Sequence, residues 1–62
     1  MELANRLHDL KERMKVAKDD ARYAVAERLR DFGYINFADF CIGRPQAHQV
    51  SEIEGLLTRL AV

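Results

Sequence analysis

The chain has 62 residues, ten basic and ten acidic side chains, a formal charge of zero and 48% apolar residues. That length accommodates one domain, residues 1–62, and a chain so short buries only about 60% of the surface it exposes when unfolded. The apolar share excludes a disordered polyelectrolyte, neutrality argues against a protein that lives on phosphate backbones, and the single cysteine, Cys41, excludes an internal disulfide.

The first element is a long helix over about 2–32. Leu3, Leu7, Leu10, Met14, Ala17, Ala21 and Ala24 recur in steps of three and four, and Val25, Leu29 and Phe32 continue the stripe. From Met1 to Phe32 there is no Gly, Pro, Ser or Thr, and the residues present are mostly good helix formers. Glu2 with Arg6, Asp9 with Arg13 and Glu27 with Arg30 are spaced for pairing along that helix. Gly33 suits a left-handed helix end, with Tyr34 following as a Schellman motif expects.

A connector, 33–44, comes next. Within it, 36–42 reads as a short helix capped by Asn36, with Phe37, Ala38, Phe40 and Cys41 turned inward, or else as irregular chain. The last helix runs to Ala61 from one of two starts. Pro45 can be its first residue, or Ser51 and Glu54 can form a capping box six residues later. Val50, Ile53, Leu57 and Leu60 make its apolar stripe, and Gly55 interrupts it at a cost of roughly 1 kcal/mol relative to Ala. The predicted fold is therefore all-α: a long helix, a connector, and a shorter helix packed back as a hairpin.

Lengths then argue for a second chain. At 1.5 Å per residue a thirty-residue helix spans roughly 45 Å, against at most about 25 Å for the last helix. Leu3, Leu7, Leu10 and Met14 would lack cover, at roughly 1.5–3 kcal/mol each. Pairing of two copies into a helix bundle through Leu3, Leu7, Leu10, Met14, Ala17 and Ala21 would supply it, as would a groove on a larger protein.

The polar residues give candidate binding surfaces and little chemistry. Lys11, Lys15, Lys18 and Arg22 fall in one ribbon beside the stripe of a continuous helix, which reads as a rail for phosphates or an acidic protein, or as a solvated flank. Tyr34 and Arg44 are interface candidates, because tyrosine and arginine anchor protein contacts. Arg44, Gln46, His48 and Gln49 could reach base edges if 36–57 were a helix-turn-helix, but Glu52 and Glu54 would then oppose phosphate. Cys41 lies between Phe40 and Ile42 and reads as core, and His8, His48 and Cys41 lack zinc-ligand spacing. No catalytic constellation, metal site, cofactor motif or small-molecule substrate is expected. With no apolar run long enough to cross a membrane, no signal-peptide core and a lone thiol, the expected compartment is the cytoplasm. The function expected is that of a small non-catalytic regulator, inhibitor or adaptor that binds a larger protein, as a homodimer. The alternative is a dimeric nucleic-acid-binding regulator that uses the basic ribbon or the Arg44–Gln49 segment.

Overall fold

The computed structural model describes residues 2–60, and among them the secondary structure is entirely helical. In chain order the elements are α1 (Leu3–Lys15), α2 (Asp19–Phe32), α3 (Phe37–Ile42) and α4 (Ala47–Leu60). The expected helix over 2–32 is thus two helices, broken at 16–18. The principal extents of the fold are 27 × 25 × 18 Å, which leaves no room for a rod of roughly 45 Å. The radius of gyration, 10.5 Å, matches the value of about 10.6 Å that a compact single domain of this length would have.

Local chemistry explains the break. Arg13 and Lys15 stand in the last turn of α1, and Asp19 and Asp20 in the first turn of α2. Each pair complements the helix end that it occupies, whereas in one continuous helix neither would meet a terminus. The amides of Val16 and Ala17 close the end of α1 on the carbonyls of Arg13 and Met14. Arg22 Nη2 donates to the Lys15 carbonyl at 2.9 Å, satisfying an acceptor that the broken helix leaves open. The gain lies in the core. Folding α2 back lets α4, about as long as either, cover both helices.

Leu10, Ala21, Val25, Leu29, Phe40, Val50, Ile53 and Leu57 form the buried core, with Leu3, Leu7, Met14, Ala17, Phe32, Tyr34, Phe37 and Leu56 packed around it. The leucines of α1 therefore find their partners within the chain, and the length mismatch that called for a second copy disappears. Full burial of Leu10 contributes roughly 1.5–3 kcal/mol and partial burial of Leu3 and Leu7 a share of that each, which offsets the few helical hydrogen bonds lost at the turn.

Charged side chains fix how α4 sits. Arg6 on α1 donates to Glu54 Oε1 at 2.6 Å, to Glu54 Oε2 at 3.2 Å and to Ser51 Oγ at 2.9 Å. Arg28 on α2 bonds Glu52 at 2.6 Å and lies 5.0 Å above the ring of Phe32. Arg13 donates to Thr58 Oγ1 at 3.1 Å. So α4 carries one row of acceptors for α1 and one carboxylate for α2. Arg6 and Arg13 pair across to α4, whereas the sequence spacing had suggested Glu2 and Asp9 on their own helix.

The helix ends follow local rules, with one surprise. Gly33 adopts φ 100°, and the Gly33 and Tyr34 amides bond the Arg30 and Leu29 carbonyls, which completes the expected Schellman end. Asn36 caps α3 through the Asp39 amide at 2.9 Å. Neither predicted start of α4 is used. The helix begins at Ala47 after a buried Pro45, and the Gln49 side chain reaches back to the Gln46 amide at 3.0 Å. This is the returning half of a capping box. Ser51 and Glu54, spaced like a box, are instead the receptor for Arg6. The expected end at Ala61 lies outside the described residues.

α3 is a plug. Phe40 is fully buried, with Tyr34 edge-on at 5.3 Å, Phe37 tilted at 6.0 Å and Phe32 stacked at 6.4 Å between ring centroids. Ala38, expected to face inward, is exposed, and Cys41 is half-buried. The six-residue helix is too short to hide more than one face.

Candidate functional site

The candidate site is assembled from what the closed core leaves outside. Val16, Ile35 and Ile42 are 83%, 82% and 79% exposed, although each is an apolar β-branched residue. Val16 stands at one lip of a groove of about 260 Å³ formed where the α1–α2 turn meets the end of α4. The groove is lined by Arg13, Val16, Ala17, Lys18, Ala21, Leu57 and Leu60. Ala21 and Leu57 are buried, so they form its floor, while Lys18 and the partly exposed Leu60 sit at its edge.

The break between α1 and α2 creates this groove. Val16 is the C-cap of α1, with φ −109° and ψ 5°, and Lys18 is the extended N-cap of α2, its side chain making no cap hydrogen bond. The extended Lys18 backbone turns the chain, and the small residues Ala17 and Ala21 leave space that bulkier side chains would fill. Arg13 is held by its bond to Thr58 on α4. Among the described residues, neither Arg13 nor Lys18 makes an ion pair; the pairs present join Arg6 to Glu54, Lys15 to Glu12, and Arg28 to Asp31 and Glu52. Two cations that make no ion pair among the described residues thus flank an apolar floor, although the Arg13 charge also acts through space on the Glu54 carboxyl. Asp19 and Asp20, next to Lys18, are exposed in the first turn of α2, where the helix end favours them.

The residues singled out from sequence are distributed as follows. Leu10 and Ala21 are buried, and Leu3, Leu7, Met14 and Ala17 are packed against the core. Leu3, Leu7, Leu10 and Met14 thus pack within the chain itself, and Ala17 and Ala21 also line the groove. The basic ribbon is divided: Lys11 and Lys15 lie on α1, Lys18 in the turn and Arg22 on α2, all exposed. Lys15 pairs with Glu12 at 2.7 Å, which holds the Glu12 carboxyl below the usual carboxylate range, and Arg22 is engaged with the Lys15 carbonyl. Tyr34 is half-buried and packs edge-on against Phe40 at the margin of the core. Arg44 is exposed, and its φ of 53° puts a non-glycine residue in the left-handed region.

Sequence reasoning missed Val16, Leu57 and Leu60 as site residues and did not consider Arg13 for binding. The available signal was Arg13-Met-Lys-Val-Ala-Lys-Asp-Asp20: a basic end followed by an acidic start, the charge order of a helix terminus facing a new helix.

The chemistry on offer is modest. Burial pushes the Cys41 thiol up, with Lys11 opposing only in part, so thiolate is disfavoured. His8 and His48 are exposed. Among the described residues, no group of three His, Cys, Asp or Glu side chains is placed to hold a metal ion, and no helix is long and apolar enough to cross a membrane. The elements define a small all-α domain in which α4 lies across α1 and α2 and α3 closes one side. No family model matches the chain, and neither does any curated protein or solved structure.

Proposed function

We propose that this chain is a non-catalytic interaction protein that docks on a larger protein through surfaces outside its closed core. The observation that carries the reading is the contrast between a core whose leucines are satisfied within one chain and three β-branched residues left about 80% exposed, one of them at the lip of an apolar groove. A domain of marginal size gains stability by hiding such residues. Their exposure therefore fits a surface that a partner covers. Leu10 is buried and Leu3, Leu7 and Met14 pack against the chain's own core, so this reading does not require two copies to pair through them.

The test uses a photo-crosslinking amino acid at Val16 or Ile42, and at Asp9 or Glu27 as controls, in cells that produce the protein. The expected result is one protein adduct formed from the apolar positions and absent from the controls. That protein, purified, should bind the chain with an affinity that persists at 500 mM salt. Equal adducts from all four positions would overturn the reading. Tight binding to a duplex DNA probe that collapses between 50 and 200 mM salt would favour the nucleic-acid alternative, since such a slope reports phosphate neutralisation.

A further inference from the structure

We infer that the groove between the α1–α2 turn and the end of α4 takes an acidic, apolar-anchored segment of a partner protein: one aliphatic or aromatic side chain in the groove, with neighbouring carboxylates on Arg13 and Lys18. This rests on the protein-docking reading above and names the partner chemistry of one site within it.

Size, lining and charge lead to the same occupant. A volume of about 260 Å³ is below the roughly 300–1,000 Å³ of pockets that enclose small ligands. It exceeds the 150 Å³ or so that accepts a benzene ring. One large side chain, still attached to its own backbone, is the matching object. The floor of Ala21 and Leu57 and the lips of Val16 and Leu60 offer that side chain only apolar contact. The polar groups at the rim are cationic. Arg13 is oriented by Thr58, Lys18 stands exposed at the N-cap of α2, and neither makes an ion pair among the described residues. This differs from the rest of the helix-packing surface, where Arg6 and Arg28 are each matched to a carboxylate on α4. A fork-shaped guanidinium and an ammonium on either side of an apolar slot complement a leucine or phenylalanine flanked by aspartate or glutamate. Affinity comes from the anchor, and the cations select for acidic flanks.

The experiment measures fluorescence anisotropy with three labelled short peptides: one alternating glutamate and leucine pairs, one with lysine for each glutamate, and one with serine for each leucine. Wild-type protein should bind the first and neither of the others. Ala17→Leu, which fills the groove, should abolish that binding while the amide spectrum stays dispersed. Lys18→Ser should weaken it about two- to fivefold, as loss of one exposed ion pair does, and Arg13→Gln/Lys18→Ser further. Lys11→Ser, outside the groove, should leave it unchanged. Equal binding of the glutamate and lysine peptides, blocked by Ala17→Leu, would overturn the acidic partner and leave groove docking standing. Binding indifferent to Ala17→Leu in a folded protein would overturn the site itself. Binding of no peptide, together with no adduct from Val16, would remove both readings.

Discussion

Lys18→Ser tests the turn on which both the fold and the groove depend, because the sign of its effect differs between a broken and a continuous first helix. Lys18 occupies the N-cap of α2 with φ −71° and ψ 159°, and its side chain bonds no backbone amide. Serine in that backbone geometry accepts from an amide one turn in, a gain of about 1 kcal/mol. Removing a cation from the positive end of the helix adds about 0.3 kcal/mol at an exposed site. The sum, about 1.3 kcal/mol, corresponds to a rise in Tm of roughly 5–10 °C for a domain of this size. In a helix continuous over 2–32 the same substitution exchanges a good helix former for a poorer one and lowers stability by a few tenths of a kcal/mol. Thermal unfolding followed by circular dichroism, at two protein concentrations a hundredfold apart, reads both quantities. A raised Tm independent of concentration is expected. A lowered Tm would refute the break, and a Tm that climbs with concentration would show that folding is coupled to self-association.

Three other substitutions probe separate features. Gly55→Ala, in mid-helix where an added Cβ meets nothing within 4 Å, should stabilise the fold by about 0.5–1 kcal/mol and so raise the denaturant midpoint with no change in slope; an unchanged midpoint would mean the backbone there is not helical. Gly43→Ala places a Cβ 2.7 Å from Tyr34 Cε1 and 2.9 Å from the Asp39 carbonyl oxygen, and should cost about 1–3 kcal/mol and shift the Tyr34 ring resonances. Glu54→Gln tests the Arg6 contact through pH. The hydrogen bond from Arg6 holds the Glu54 carboxyl below its ordinary range, so its stabilisation is complete above the unfolded value of about 4.3 and is lost as pH falls through the lower folded value. The difference in Tm between wild type and variant should therefore shrink on acidification below about pH 4, and a difference constant with pH would show that the pair does not couple to folding.

The sequence made most of the helical content legible, and the reasons are local. The Schellman end at Gly33, the Asn36 cap and the Val50–Ile53–Leu57 stripe each depend on residues within one or two turns of one another, so spacing alone reveals them. The break at 16–18 was harder to read because nothing there forbids a helix: Lys15, Val16, Ala17 and Lys18 include no Gly or Pro. What decides it is a comparison between two whole structures, one with a covered leucine stripe and one without, and propensity sums do not make that comparison. The same holds for Ser51 and Glu54. Their spacing satisfies a capping box and also puts two acceptors on one face of a helix, and only the arrival of Arg6 from 45 residues away selects the second use.

A similar reversal changes where recognition should be sought. In a continuous helix, Leu3, Leu7 and Leu10 would be the adhesive surface and the basic residues a ribbon beside it. Once the chain turns at Val16, those leucines pack on the chain's own core, Lys15 and Arg22 become parts of the turn, and Arg13 and Lys18 are left flanking the gap that the turn opens. Stability and binding then draw on different residues. Substitutions at Leu10 act through the core, whereas Lys18→Ser should make the protein more stable and a weaker binder of an acidic segment. A change that improves folding while impairing recognition is hard to explain if the basic side chains are only a solvated flank. The opposite sign of the two effects follows directly if Lys18 is kept at a poor capping position because its charge is used there.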